Sequence, residues 1–136
     1  MLDPQARMPA PPVALIMLYL NSMEALALAQ KTVEVASDKQ ASDIVLLDAR
    51  AVCSFADYFV ICSGDSARQL QSIYDEVEHV LKREGVSLHH YEGTMDSGWM
   101  LLDYGDVIVH IFAPTEREFY KLDKMWSEAT PVLRIQ

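Results

Sequence analysis

Residues 98–112 read GWMLLDYGDVIVHIF, and this stretch constrains the fold more than any other. It predicts two strands folded over Asp103-Tyr104-Gly105-Asp106, because Asp closes its own turn and Gly accepts positive φ. A surface hairpin alternates apolar with polar residues. Here both registers are apolar. Trp99 and Leu101 point one way, Met100 and Leu102 the other. On the return, Val107, Val109 and Ile111 share one register, and Ile108 and Phe112 share the other. His110 alone interrupts the run. A sheet carrying these strands needs cover on both faces.

The rest of the chain supplies limited cover. Ser22 can cap a helix to about Ser37, with Leu26, Ala29, Val33 and Ala36 on one face. Asp43–Ala49 and Ala56–Gly64 read as strands, rich in β-branched and aromatic residues. Ser66 and Gln69 form a capping box before a helix whose apolar positions are Leu70, Ile73, Tyr74, Val77, Val80 and Leu81. Gly85 ends it. A third strand is expected over Ser87–Tyr91, then a loop from Gly93 to Gly98. Pro114 opens a last helix, with Phe119, Leu122 and Trp126 inward. The expected class is α/β, with a mixed five-stranded sheet and about three helices. Three helices cover one face well. The second face is then a docking surface for another chain, or the seat of an N-terminal extension.

Totals set further bounds. The 136 residues suit one domain with a real core. The formal charge of −9 argues against wrapping nucleic acid, DNA included, since a phosphate backbone needs a basic footprint, and it permits a basic protein as partner. Cys53 and Cys62 have no zinc-ligand spacing, which points to two buried thiols in a reducing cytoplasm. The apolar run from Val13 to Leu20 is short of a membrane span and imitates a signal peptide poorly. It reads as part of an extension over residues 1–22, ahead of a domain over 23–127 and a tail over 128–136. The expected location is the cytoplasm.

Three linked stretches carry a specific pattern: DYFVICSGDSARQ, then EG…GWMLLDYGDVIVHIF, then EREFYKLDKMW. The pattern W-x-x-x-D-Y-G-D-V-I-V-H-I, followed by R-x-x-Y-x-L-x-x-x-W, resembles the ribosomal silencing factor family, RsfS, also called Iojap. The resemblance implies a nucleotidyltransferase-like fold without catalysis. It implies binding to a large-subunit ribosomal protein on the face that meets the small subunit, which blocks subunit joining and lowers translation. A homodimer is implied for the free protein. The family's contact positions fall on Trp99, Leu101, Asp103, Tyr120 and Lys121. The sequence departs from the family at Ser63-Gly64-Asp65, where a Thr-Gly-Thr-like turn is usual, and in its N-terminal extension.

The residues themselves support a binding surface more than an active site. Trp99 beside Leu101 suits an interface anchor, though a core Trp under the last helix would read the same. Asp103 can meet a basic group, whereas Asp106 and Gly105 fit turn chemistry. Lys121 is a cation in an acidic protein, although Tyr120-Lys121 also fits a solvated helix face. His110 is expected to be hydrogen-bonded and half-buried. His89 and His90 face apart and cannot share a metal. SGDSAR lacks a Walker lysine. A metal-dependent nucleotidyltransferase, the alternative reading, needs paired carboxylates on a strand; no D-x-D follows, and Glu76 and Glu78 face apart on a helix. No enzyme activity, cofactor or metal is expected. A structural adaptor with another partner is the third reading.

Overall fold

The computed structural model describes residues 13–125 and 127–136. Helix α1 runs Val13–Asp38, α2 Ala67–Arg83, α3 Pro114–Tyr120 and α4 Leu122–Met125; a 3₁₀ turn covers Met95–Ser97. The strands are β1 Ser42–Asp48, β2 Tyr58–Ser63, β3 His90–Thr94, β4 Trp99–Asp103, β5 Val107–Phe112 and β6 Thr130–Ile135. They form one sheet in the order β3-β4-β5-β2-β1-β6. Only the β2–β5 pair is parallel; the other neighbours are antiparallel.

Among the described residues the sheet therefore has six strands, not five. The sixth comes from residues expected as a tail. All positions of β6 are exposed, and Pro131 sits where its register slips against β1. A proline on an edge strand needs no ladder donor, which is how a segment so weak in strand signal can still pair. Helix α1 begins at Val13, so Ser22 lies inside the helix rather than at its cap. The third strand starts at His90, three residues later than expected, and just before it the His89 N–H donates to Asp103 O. Part of the expected Gly93–Gly98 loop is ordered as the 3₁₀ turn. There Thr94 and Ser97 cap each other reciprocally.

Both faces of the central strands are covered, by different means. One face packs under α1 and α2. Ala29, Val33 and Ala36 from α1 and Leu70, Ile73, Val77 and Leu81 from α2 meet Ile44, Leu46, Val60, Met100, Leu102, Val107, Val109 and Ile111. Small residues on α1 let that helix lie close to the strands. Ser66 caps α2 by accepting the Gln69 N–H at 3.1 Å, and the Gln69 side chain reaches back to the Asp65 N–H at 2.6 Å, one residue beyond the expected box. The other face holds Val45, Leu47, Phe59, Ile61, Ile108 and Phe112 under Leu122 and Ala129, with Val52 and Cys53 from the loop after β1.

That second cover is thin. The expected last helix breaks at Lys121, whose φ of 52° is left-handed, and continues as the four-residue α4. The break turns Leu122 into the core but leaves Phe119, expected inward, 77% exposed. Trp126 lies outside the described residues, as do residues 1–12 of the extension. Cys53 and Cys62 are free thiols; Cys62 is buried, which pushes its pKa up to about 12, while Cys53 is half-buried. Among the described residues no helix is long and apolar enough to cross a membrane.

Candidate docking surface

The exposed part of the second face is aromatic, and strand geometry builds it. Trp99, Leu101 and Asp103 alternate along β4 with the buried Met100 and Leu102. Antiparallel pairing sets Trp99 opposite Phe112 and Leu101 opposite His110. The Trp99 ring stacks on Phe112 with centroids 5.2 Å apart and leans against Tyr120 at 4.6 Å. Phe119 meets Tyr120 edge-on at 5.1 Å. Tyr120 remains 42% exposed, and Trp99 and Leu101 are half-buried. Together with Glu92, Gly93 and Ser97, the three residues Trp99, Leu101 and Tyr120 line a depression of about 170 Å³.

His110 holds this arrangement from beneath. The Trp99 indole N–H donates to His110 Nδ1 at 3.1 Å. An indole can only donate, so Nδ1 is the acceptor and the neutral imidazole carries its proton on Nε2. Burial, with 7% of the residue exposed, pushes the His110 pKa down to about 4. The ring is therefore neutral at physiological pH. The sequence placed His110 correctly as hydrogen-bonded, but it is nearly fully buried and its partner was not legible. Only pairing across the β4–β5 ladder brings residues 99 and 110 together.

The five expected contact residues do not converge on one spot. Trp99, Leu101 and Tyr120 do. Asp103 lies four residues along β4 from Trp99, roughly 13 Å at the strand rise, and its Oδ1 accepts the Gly105 N–H at 2.7 Å. It closes the turn that the sequence assigned to Gly105 and Asp106, with Gly105 at φ 89°. Lys121 is exposed, meets Glu118 at 3.9 Å, and lines a separate depression. Glu92 is the one acidic residue that lines the aromatic depression. Phe55, 63% exposed and 6.2 Å from Phe59, is a further open aromatic on this face that the sequence did not single out. Among the described residues no group of three or more His, Cys, Asp or Glu side chains is placed to hold a metal ion.

Comparison with known proteins identifies the family of the chain. The family model described as "Ribosomal silencing factor during starvation" matches residues 22–136. The chain belongs to the RsfS family. It is 38% identical over 105 residues to the ribosomal silencing factor RsfS of Halalkalibacterium halodurans, covering 77% of this chain and 90% of that one. It is 30% identical over 98 residues to a mouse protein named for mitochondrial assembly of the ribosomal large subunit, covering 70% of this chain and 43% of that one. The crystal structure of a Chromobacterium violaceum protein superposes with a TM-score of 0.69 at 32% identity, covering 77% of this chain and 85% of that one. The RsfS match reaches residue 136, so β6 lies within the family domain.

Proposed function

We infer that this chain silences ribosomes by docking its aromatic hairpin face on a basic protein of the large ribosomal subunit, at the surface that meets the small subunit. Occupation of that surface sterically blocks subunit joining, and translation falls. The observation that carries this reading is the depression around Trp99. Its walls are aromatic and half-open, its anchor is held in one orientation by His110, and Glu92 supplies an acid at its edge. Trp and Tyr dominate the energetics of protein interfaces because they bury large rigid surface at little entropic cost. An acid at the edge steers a basic partner into register. Family membership and the large-subunit name of the mouse relative support the choice of partner. No step of this function requires chemistry by the protein, a metal or a cofactor. The site of action is the cytoplasm.

In free solution the chain forms a homodimer that covers apolar surface left open by the short helices and the edge strand, where Val132, Leu133 and Ile135 are exposed. Light scattering should return twice the 15.3 kDa chain mass; a monomer at micromolar concentration would count against it.

Co-sedimentation with purified large subunits through a sucrose gradient tests the docking reading. Trp99→Ala should weaken binding about thirtyfold, the loss that corresponds to roughly 2 kcal/mol at a desolvated anchor. Circular dichroism must show the variant folded. A folded Trp99→Ala protein that co-sediments like wild type removes the hairpin from the docking surface.

A further inference from the structure

A second depression, of about 330 Å³, opens beside the aromatic one and has the opposite electrostatic character. It is lined by Arg117, Lys121, Lys124 and Arg134, with Asp43 and Glu118 as the counter-acids. Four of the eleven Lys and Arg residues of a chain with net charge −9 thus gather at one place. They come from three separate elements. Arg117 lies on α3, Lys121 and Lys124 belong to the α3–α4 break and α4, and Arg134 lies on β6 opposite Val45. No sequence run announces the cluster; the fold assembles it.

The position and the build of this depression both suit an anion. It lies off the ends of β2 and β5, the only parallel pair among the described residues, at Ser63 and Phe112. In α/β sheets ligands collect outside the carboxyl ends of parallel strands. Arg117 is anchored at its floor. It donates to the Asp43 carbonyl at 2.5 Å and to Ser63 Oγ at 2.9 Å, and Ser63 is itself buried. Two of the three non-glycine residues with positive φ, Asp43 at 47° and Lys121 at 52°, flank it. Lys121 reaches Glu118 only at 3.9 Å, and Lys124 and Arg134 are exposed. Among the described residues no aromatic side chain lines the depression, so it offers a nucleobase no stacking platform. The chemistry that remains is phosphate without base: contacts of this kind position a protein on a nucleic-acid backbone and carry no sequence information.

We propose that this basic depression binds a phosphodiester of ribosomal RNA bordering the protein on which the Trp99 face docks. The proposal rests on the docking reading, since Tyr120 and Lys121 are chain neighbours that link the two depressions on one face. It also fits the global charge. A protein of net charge −9 is repelled by an extended RNA surface, but a local cluster of four cations can engage one or two phosphates.

The test is the salt dependence of binding to purified large subunits. The double variant Lys124→Ala/Arg134→Ala should bind more weakly, and its plot of log affinity against log salt should be shallower by roughly 1.4, two contacts at about 0.7 each. Lys82→Ala/Arg83→Ala, at the end of α2 on the other side of the sheet, should leave the slope unchanged. An unaltered slope in the first double variant overturns the proposal. Trp99→Ala in the same assay reports on the docking reading separately: if it binds as wild type, that reading fails while the slope still reports on the depression. A photoreactive benzophenone amino acid in place of Lys124 identifies the occupant. Crosslinks to RNA that ribonuclease releases support the proposal. Crosslinks to protein alone overturn it and make an acidic protein segment the occupant.

Discussion

At the scale of single residues, the pair Trp99–His110 links folding to the proposed docking surface. The Trp99 N–H needs Nδ1 unprotonated, and burial enforces that by holding the His110 pKa near 4. In the unfolded chain the same imidazole titrates near 6.5. Below that pH the unfolded state takes up a proton that the folded state refuses, so stability is highest above pH 6.5 and falls as pH drops toward 4. Between pH 7.5 and pH 5 the loss should amount to about 2 kcal/mol, an order-of-magnitude figure from the shift. Denaturant unfolding at the two pH values measures it, with His110→Phe as the comparison. The Phe variant should lose that pH dependence while starting less stable, because the indole N–H is left without its acceptor at a cost of about 1 kcal/mol. A wild-type protein whose extra loss at pH 5 equals that of the variant would contradict the assignment. Trp99 itself was legible as an anchor candidate from its residue type and strand position. The role of His110 was not, because a lone histidine in an apolar run gives no sign of which cross-strand partner will claim it.

At the scale of elements, the β4–β5 hairpin asks one carboxylate to do two jobs. Asp103 closes the turn through the Gly105 N–H, and under the docking reading it also meets a basic group of the partner. Charge reversal there would confound the two, and Asp103→Asn separates them, since an amide oxygen can still accept from Gly105. Asp103→Asn should keep near wild-type stability and bind large subunits about threefold more weakly, the scale of one exposed charge pair. Asp103→Ala should lose about 1 kcal/mol of stability as well, because the turn loses its acceptor. Equal stability of the Asn and Ala variants would show that the turn does not depend on the side chain. Elements with strong periodicity were readable in advance: α2 from its apolar repeat and Ser66 cap, β4 and β5 from their doubly apolar registers. Three features were not. β6 contains Pro131 and buries nothing, so neither pattern nor propensity marks it. The break at Lys121 puts a residue other than glycine in a left-handed conformation, which no local residue pattern marks. Phe119 looked like core because it falls at helical spacing from Leu122, and the break takes that spacing away.

At the scale of the molecule, an uneven division of labour between the faces follows from the helix count. Two long helices close one side of the sheet. Two short ones close the other only in part, and the surface they leave is where the aromatic and basic depressions lie. If that surface sits on the large subunit where the small subunit would otherwise rest, silencing is a competition for one area, and order of addition decides its outcome. Protein added to isolated large subunits finds its site open and should prevent association when small subunits and magnesium follow. Protein added to preformed couples finds the site covered. It can act only as fast as subunits separate, so early inhibition should be slight and should grow with time toward the same end point. Trp99→Ala should shift the inhibition curve to about thirtyfold higher concentration in the first order of addition, in step with its loss of affinity. Light scattering or gradient profiles of the coupled fraction read both. Inhibition that is immediate and complete in either order would mean that the protein reaches a site the small subunit leaves open, and steric exclusion at the joining face would have to be abandoned even with the docking residues correctly assigned.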